Sequence, residues 1–399
     1  MQAKTVGPHR LLCGDNLELL PTLADGSVDL ISTDPPYGIS FMGKAWDKAL
    51  PDPQTWVECY RVLKPGGSAV VMSGARLDCL WRMCRDLEAA GFELEQTAFF
   101  WCYRSGFPKG QDLGKAIDAR AGAQREVIGT RVDAFGDAEL SETDDGRNLW
   151  GKPSTKEAVL YGGPATDLAV ALDGWYTKGK VKPAVEVIIW ARKPISEKTE
   201  LANMERHGVG GVNCGACMIP SDEPIPVNVL PEWSGFGELK QPEYVQKQQA
   251  GRFPANLLVT GAETCGVDAL GEEDSRYFSV SKWAEEHGYS EDWAAVAEAG
   301  VLQVCKPAAS EKSAGLDGPC KHPTCKPVTL FAYLIEFLTR PGAVVLDPFA
   351  GSGTTLCAAA MTGRAGIGME LEPDYFTIME ARVRHWQTQN EPPAIEGDL

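Results

Sequence analysis

The chain has 399 residues, of which 44% are hydrophobic, and a formal net charge of −17 at pH 7. This length and hydrophobic content allow a large buried core in roughly two or three structural units, which excludes a disordered tail or a small disulfide-stapled scaffold. The acidic balance argues against a protein that coats nucleic acid with a uniformly basic surface. The N-terminus lacks a signal-peptide pattern, no run of about 18 apolar residues occurs, and the cysteines lack framework spacing, so we expect a cytoplasmic protein with reduced thiols.

Strand and helix patterns alternate at both ends of the chain. The sequence predicts strands around residues 28–33, 68–74, 94–103, 184–193, 343–347 and 364–371, and helices around 53–64, 77–87 and 328–340. This alternation is typical of a doubly wound, mostly parallel α/β sheet. Irregular sequence rich in glycine or proline interrupts it at about 104–180 and again at 194–321.

Two of the predicted helices are recognised by apolar residues at helical spacing. In the first helix these residues are Leu77, Leu80, Trp81, Cys84 and Leu87. In the second they are Leu330, Tyr333, Leu334, Phe337 and Leu338.

A rigid acidic turn follows the strand at 28–33. The residues are Asp34, Pro35, Pro36 and Tyr37, and because two consecutive prolines end a strand sharply, we expect them at its carboxyl end. Each proline fixes its own φ and keeps the preceding residue extended, so the Asp34 carboxylate is expected to be held in place. The alternative interpretation is a simple strand-terminating turn with a buried tyrosine.

A glycine-rich loop follows a second strand. That strand ends at Asp347, Gly351 and Gly353 allow a tight turn, and a helix begins around Thr354. Such a turn directs backbone N–H groups and the positive helix end at an anionic group of a ligand. Glu370 follows about twenty residues later, where an acid commonly accepts hydrogen bonds from ribose hydroxyls. No lysine follows Gly353, so the loop favours a nucleoside-bearing ligand other than a triphosphate, with a purely structural turn as the alternative.

Taken together, these motifs resemble the amino-methyltransferases of DNA, which transfer a methyl group from S-adenosylmethionine to adenine N6 or cytosine N4. The matching segments are Asp34 to Tyr37, "RVLKPGG" at 61–67, "HPTCKP" at 322–327, "DPFAGSGTT" at 347–355 and "GIGMEL" at 366–371. Because the acidic turn precedes the glycine loop, the order is similar to that of the circularly permuted beta group. The phrases "SGFPKG", "GRFPAN" and "HPTCKP" are also similar to methyltransferases carried by phages and prophages.

The resemblance covers roughly 10–110, 183–193 and 322–385. It implies the Rossmann-like fold of S-adenosylmethionine-dependent methyltransferases with an inserted target-recognition region. On this basis we expect a catalytic half at 1–193, with an irregular insertion at about 111–180, then a target-recognition region at 194–321 and a cofactor-binding half at 322–399.

The resemblance also implies roles for the acidic turn. The Asp34 carboxylate and the Pro35 carbonyl would accept hydrogen bonds from the target amine, Pro36 would keep the turn rigid, and Tyr37 would stack on a base flipped out of the duplex. Aspartate at position 34 resembles the adenine-specific members. The alternatives are methylation of cytosine N4 and a catalytically silent DNA-binding relative, with transfer to RNA or a protein amide as a weaker option.

Further residues are expected to bind the cofactor or DNA. The predicted cofactor-binding residues are Asp347, Phe349, Gly351, Gly353, Thr354, Glu370, Asp15, Thr324 and Lys326. For Asp15, an N-cap of the helix starting near Asn16 is an equal alternative. The predicted DNA-binding residues are Trp46, Arg104, Lys109, Lys115 and Lys193; solvated surface charge is the alternative for the four cations.

Double-stranded DNA is the expected partner, and dimerisation is common in the resembling group. A zinc site at Cys214 and Cys217, with Cys305, Cys320, His322 and Cys325, would not follow a common finger pattern. We therefore expect buried thiols and no obligatory metal.

Overall fold

The computed structural model describes residues 2–39, 43, 45–102, 110–131, 141–142, 148–149, 158–177, 185–217, 219–220, 251–252, 256–259, 278–279, 307 and 309–389. The chain forms two compact units. Unit 1 comprises residues 1–105 and 184–399, and unit 2 comprises residues 106–183.

The elements are numbered in chain order. The strands are β1 (Gln2–Val6), β2 (His9–Cys13), β3 (Val28–Thr33), β4 (Leu63–Gly74), β5 (Phe99–Cys102), β6 (Val127–Arg131), β7 (Ser141–Glu142), β8 (Asn148–Leu149), β9 (Ala158–Tyr161), β10 (Val185–Arg192), β11 (Ile219–Pro220), β12 (Gly251–Arg252), β13 (Leu257–Val259), β14 (Phe278–Ser279), β15 (Val344–Asp347) and β16 (Ala365–Glu370). The α-helices are α1 (Asn16–Leu19), α2 (Pro53–Val62), α3 (Leu77–Ala89), α4 (Leu113–Ala121), α5 (Asp167–Ala171), α6 (Glu200–His207), α7 (Ala309–Ser313), α8 (Val328–Leu338), α9 (Thr354–Met361) and α10 (Pro373–Gln389).

Unit 1 contains a sheet of ten strands in the order β1-β2-β16-β15-β3-β4-β10-β5-β13-β14. The strands from β2 to β4 in this order are parallel to one another, and β5, β13 and β14 have the same direction as β4. Among the described strands of this sheet, β1 and β10 run the opposite way. The prediction of a mostly parallel α/β sheet is therefore confirmed.

Helices cover both faces of this sheet. Neighbouring residues of one strand enter different core clusters, as Leu30 and Ile31 do in β3, because successive side chains point to opposite faces. One cluster contains Trp56 of α2 with residues of α3, and the other contains Phe331 of α8 with residues of α9 and α10. Each fully buried apolar side chain contributes about 1.5–3 kcal/mol. The sheet is thus doubly wound, as predicted.

Two helices differ from their predicted apolar stripes. Leu77 and Trp81 of α3 are 78% and 53% exposed, whereas Cys79 and Met83, which were not in the predicted stripe, are buried. The other three residues of the stripe pack in the core: Leu87 is buried, and Leu80 and Cys84 are partly buried against the same cluster. The spacing therefore predicted the helix and only part of its buried face. Helix α8 is buried almost all round, because it lies in the core cluster that it shares with α9.

Unit 2 has regular structure where the sequence predicts irregular chain. Helices α4 and α5 and the paired strands β6 and β9 lie in it. Asp118 of α4 joins its parts by accepting hydrogen bonds from the Thr166 backbone and hydroxyl and from Arg125. None of the described helices in either unit combines the length and apolar character needed to cross a membrane.

Candidate active site

The acidic turn and the glycine loop lie side by side. Strands β3 and β15 are parallel neighbours, with Leu30 opposite Val345, so the segments that follow them meet at the carboxyl edge of the sheet. Here the carboxyl edge means the edge at which the parallel strands end. The Thr33 hydroxyl donates to Asp347 Oδ1 at 2.6 Å, which joins the last residues of the two strands.

The Asp347 carboxyl group holds the two motifs together. Its Oδ1 also accepts from the Phe349 N–H at 3.1 Å, and its Oδ2 accepts from the Thr355 hydroxyl at 2.7 Å. Burial raises the pKa of Asp347 to about 6, against the opposing effect of the hydrogen bonds from Thr33 and Thr355. The sequence predicted Asp347 as a cofactor-binding residue, but its side chain is bonded within the protein and positions the loop.

A second aspartate fixes the acidic turn. Asp47 is buried, and its Oδ1 accepts from the N–H groups of Tyr37 and Gly38 at 2.7 and 3.0 Å. It lies in a short 3-10 helix (Ala45–Asp47) that also carries Trp46. The turn is therefore held by a buried side chain as well as by its prolines.

Both oxygens of Asp34 have donors in the structure. The Tyr37 hydroxyl donates to Oδ1 at 2.7 Å, and the Lys326 ammonium donates to Oδ2 at 2.5 Å. Lys326 is buried and comes from the segment before α8. The sequence predicted Lys326 beside the methionyl end of the cofactor, but the structure places its ammonium in the acidic turn.

Glu186 completes this cluster and was missed by the sequence analysis. Its Oε2 is 2.9 Å from the Tyr37 hydroxyl and 3.3 Å from the Lys326 ammonium. It reaches the carboxyl edge because β10 is antiparallel to β4, which places Glu186 opposite Gly74, the last residue of β4. The sequence did contain a signal for Glu186, namely an acidic residue within a mostly apolar strand.

The carboxyl groups keep their two donors protonated. Burial alone would lower the pKa of Lys326, but Asp34 and Glu186 outweigh it and raise that pKa. Burial, followed by the same two acids, raises the pKa of Tyr37 well above its ordinary value. The site therefore contains an ammonium and a neutral phenol between two acidic side chains.

The glycine loop requires glycine at two positions. Gly351 and Gly353 have φ values of +52° and +78°. A Cβ at Gly351 would lie 2.9 Å from His322 Nε2, and one at Gly353 would lie 2.8 Å from Met379 Cγ. Gly353 is the N-cap of α9 and has no side chain to cover the helix end. Glycine at these positions therefore lets the loop pack closely against His322 and Met379.

Glu370 lies beside this loop at the end of β16. Its Oε2 accepts from the Gly351 N–H at 2.7 Å and its Oε1 from the Glu372 N–H at 2.8 Å. Burial raises the pKa of Glu370, while these two backbone hydrogen bonds oppose the shift. Each oxygen keeps a further lone pair for a ligand hydroxyl.

Other predicted cofactor residues are placed around the loop. Phe349 is half-buried, with its ring 6.1 Å from that of Trp56. Thr354 is buried, and its hydroxyl lies 3.4 Å from the Lys326 carbonyl. The Thr324 N–H lies 3.4 Å from His322 Nδ1. Thr324 and Lys326 are thus linked to the loop through His322 and Thr354.

Arg382 supports the loop from behind and was not predicted. This fully buried guanidinium donates to the Ser352 carbonyl at 2.7 Å and to the Ser352 hydroxyl at 2.9 Å. A buried arginine on a helix with few other signals could not be assigned to the loop from its sequence position.

Asp15 is exposed and caps α1, accepting from the Leu17 N–H at 2.9 Å. The structure therefore has the N-cap that was the alternative to cofactor binding. The neighbouring Asn16 side chain donates to the Pro348 carbonyl at 3.1 Å, so α1 still contacts the segment that begins the glycine loop.

The predicted DNA-binding residues that the structure describes are divided between the two units. Lys193 follows β10 at the opposite edge of the sheet, where its ammonium donates to two backbone carbonyls, so we remove it from the candidate interface. Lys115 is exposed on α4 in unit 2, and Trp46 follows the acidic turn. Arg104 and Lys109 lie outside the described residues.

The cysteines of the zinc hypothesis are partly described. Cys320 and Cys325 have their sulfurs 3.5 Å apart, Cys214 and Cys217 lie near a 3-10 helix (Gly215–Cys217), and Cys305 is outside the described residues. Within the described part of the chain, no group of three or more His, Cys, Asp or Glu side chains is arranged to hold a metal ion.

The fold and the site define an α/β protein whose acidic turn and glycine loop meet at the carboxyl edge of its sheet. A family model for DNA methylases of the N6/N4 type matches residues 150–381, which is more than half of the chain. The chain therefore belongs to this DNA methylase family. The matched range contains Glu186, the glycine loop and Glu370, and it begins after Asp34.

Individual relatives match shorter segments. YubD of Escherichia coli (strain K12), which bears the name of a methylase, is 47% identical over 77 residues, or 19% of this chain and 34% of YubD. The type II methyltransferase M2.DpnII of Streptococcus pneumoniae is 42% identical over 71 residues, or 18% of this chain and 25% of that protein. The match thus spans well under two thirds of either relative.

A solved structure is similar over most of the chain at low identity. The PvuII DNA methyltransferase, a cytosine-N4-specific enzyme, is 18% identical, with a TM-score of 0.42 over 93% of this chain and 84% of that one.

Proposed function

We propose that this protein transfers a methyl group from S-adenosylmethionine to adenine N6 in double-stranded DNA. The observation that carries the proposal is the position of Asp34, whose carboxyl group lies at the edge where the glycine loop and Glu370 also lie. Thr33 and Asp347 join these two parts through a 2.6 Å hydrogen bond. A target amine and a nucleoside-bearing cofactor could therefore meet at one edge of the sheet.

The acidic turn supplies what an exocyclic amine needs. The lone pair of such an amine is delocalised into the ring, so the nitrogen is a poor nucleophile. Asp34 and the Pro35 carbonyl accept hydrogen bonds from its two N–H groups and stabilise the positive charge that develops on nitrogen. Because Asp47 and the prolines fix the turn, these acceptors are in place before the base arrives.

The residues of the glycine loop fit S-adenosylmethionine. Glu370 can accept hydrogen bonds from ribose hydroxyls, and Phe349 can line the pocket. Gly351 and Gly353 allow the tight turn that keeps Glu370 beside the loop. When bound, the cofactor would supply an electrophilic methyl group; the new N–C bond would form as the S–C bond breaks with its electron pair left on sulfur, and the amine would lose one proton to solvent.

The target base must leave the duplex to reach Asp34, since the amine is otherwise paired and stacked. Tyr37 offers an aromatic ring beside Asp34, and Trp46 follows on the segment that holds the turn. Lys115 is an exposed cation for a phosphate contact. Adenine is favoured over cytosine because aspartate at position 34 resembles the adenine-specific members of the family.

The test uses the full chain, long unmethylated double-stranded DNA and S-adenosylmethionine with a labelled methyl group. The DNA is then digested to nucleosides and the modified nucleoside is identified by mass. We expect N6-methyladenine. N4-methylcytosine alone would overturn the adenine assignment, and DNA binding without methyl transfer would identify a silent relative.

A further inference from the structure

Glu186 lies beside both donors that occupy Asp34. Its Oε2 is 2.9 Å from the Tyr37 hydroxyl and 3.3 Å from the Lys326 ammonium. The same two groups lie 2.7 and 2.5 Å from the oxygens of Asp34. Each donor therefore has an oxygen of Glu186 within reach in addition to its oxygen of Asp34.

The Tyr37 hydroxyl can donate to only one of the two acids at a time. The Tyr37 hydroxyl has a single proton, so it can donate fully to Asp34 or to Glu186, but not to both. The Lys326 ammonium has several N–H groups and contacts both acids. Glu186 can therefore hold both donors without help from Asp34.

The proposed reaction requires Asp34 to release its donors. A target amine must donate to an oxygen of Asp34, and each oxygen already accepts from a donor, one of which is the Lys326 ammonium. Each oxygen keeps a further lone pair, but it lies beside this cation, so Asp34 stabilises the positive charge that develops on the amine best when the ammonium turns to another acid. The Lys326 and Glu186 side chains are only 10% and 15% exposed, so water has little access to replace a lost partner. A buried donor left without an acceptor destabilises the arrangement. An alternative acceptor beside Asp34 removes this obstacle.

We propose that Glu186 is a positioning residue that receives the Tyr37 hydroxyl and the Lys326 ammonium when the target amine binds Asp34. The inference rests on the proposed function. Glu186 acts through its two partners and does not touch the target base. Each donor keeps its proton during the exchange and changes only its acceptor.

The test is a double-mutant cycle of Glu186→Leu and Tyr37→Phe, read as the single-turnover rate of labelled methyl transfer to long unmethylated duplex DNA. We expect Glu186→Leu to lower this rate about 10- to 100-fold, because its loss strands two buried donors. The dissociation constant for S-adenosylmethionine should change by less than about twofold, since Glu186 is bonded to the acidic turn and not to the glycine loop. In the Tyr37→Phe background the loss must be smaller, because one of the stranded donors is gone.

Two further variants separate this role from a structural one. Glu186→Gln retains a carbonyl oxygen as acceptor and should be faster than Glu186→Leu, and it replaces Leu in the cycle if that variant does not fold. Glu200→Gln is the matched control, because Glu200 on α6 pairs with Arg192 at the other end of β10 and should have the wild-type rate. Denaturant unfolding of each variant checks the fold.

Two results would contradict the inference alone: a wild-type rate in Glu186→Leu, or the same fractional loss in the Tyr37→Phe background. Either leaves the proposed function intact, because the wild-type chain still methylates DNA. A wild-type chain that methylates no DNA would overturn the proposed function and, with it, the inference.

Discussion

Lys326 and Lys193 lie at opposite edges of the sheet and are bonded in different ways. The Lys326 ammonium contacts side-chain oxygens of Asp34 and Glu186. The Lys193 ammonium donates to the backbone carbonyls of Tyr60 and Leu63 at 2.7 and 2.8 Å. The side-chain partners of Lys326 can bind a ligand in its place, whereas the backbone carbonyls bonded to Lys193 are part of the fold.

The pKa values of the two lysines differ in the same way. Burial lowers the pKa of Lys193, since the charge of Asp25 only partly compensates. The two acids beside Lys326 raise its pKa despite its burial. Lys326 thus belongs to a cluster of charged side chains at the carboxyl edge. The Lys193 ammonium, at the opposite edge, joins α2 to β4.

The largest effect is expected from Asp34→Ala. Removing this acceptor should lower the rate of methyl transfer about 10³-fold, because the developing charge on the amine loses its main stabilising group. The rate is measured in a single turnover with labelled S-adenosylmethionine. Asp52→Ala is the control, since Asp52 caps α2 and its loss should cost only about 1 kcal/mol of stability. Equal rates in the two variants would refute the role of Asp34.

The comparison of the two lysines is tested directly by Lys326→Met and Lys193→Met. Without the Lys326 ammonium, two acidic side chains face each other with no cation between them and Asp34 loses one of its positioning partners, so we expect about a 10²-fold slower methyl transfer with the fold preserved. Lys193→Met should keep the methyl-transfer rate and lower the free energy of unfolding by about 1–3 kcal/mol. The converse pattern would show that the bonding partners do not separate the two roles.

Glu311 lies shortly before Lys326 in the chain. Unlike the acids beside Lys326, its carboxyl group is bonded to the backbone. Its Oε1 accepts from the Val328 N–H at 2.6 Å at the start of α8. Burial raises the pKa of Glu311 from its ordinary 4.5 to about 7, against the opposing effects of the Val328 hydrogen bond and the Arg382 charge. An acid with a raised pKa contributes stability below its unfolded pKa and loses that contribution as pH rises through the folded pKa.

The free energy of unfolding of the wild-type chain should therefore lose about 2 kcal/mol from this group between pH 5 and 8. Glu311→Gln keeps an acceptor for Val328 and should not show this loss, so it should be more stable than the wild type at pH 8. Denaturant titrations at the two pH values measure the difference. Glu88→Gln, an exposed change on α3, is the control. An identical pH dependence in Glu311→Gln and wild type would exclude this group as the cause.

The sequence predicted the parts of the site that lie at the ends of parallel strands. Strands β3 and β15 end at or just before an aspartate that is followed by proline, namely Asp34 and Asp347. This signal for a strand end can be recognised without a structure. The parallel order then brings their ends together. The acidic turn and the glycine loop, each predicted after a strand, therefore meet at the same edge.

The remaining parts depend on tertiary contacts that periodicity does not encode. Glu186 reaches the site because β10 runs antiparallel to β4, and a strand pattern does not specify direction. Lys193 was misassigned for the same reason, since it follows the same reversed strand. The buried face of α3 also differed in part from its apolar spacing, since Trp81 is exposed and lies under Arg82 and Arg85.

The smallest effect is expected from Gly351→Ala, which changes the steric fit of the glycine loop and no charge. Gly351→Ala would place a Cβ 2.9 Å from His322 Nε2 at a φ of +52°, so the loop or the His322 side chain must shift. We expect about tenfold weaker binding of S-adenosylmethionine, measured by calorimetry, because left-handed backbone costs about 1–2 kcal/mol for an alanine and the clash adds to it.

Gly363→Ala is the matched control, since Gly363 has a φ of +69° and a Cβ added there would have no atom within 4 Å. It shares the backbone strain but lies beyond α9, so unchanged cofactor binding in Gly363→Ala together with weakened binding in Gly351→Ala would assign the effect to the loop's contact with His322. Equal binding in both variants would show that the shape of the loop does not limit cofactor binding.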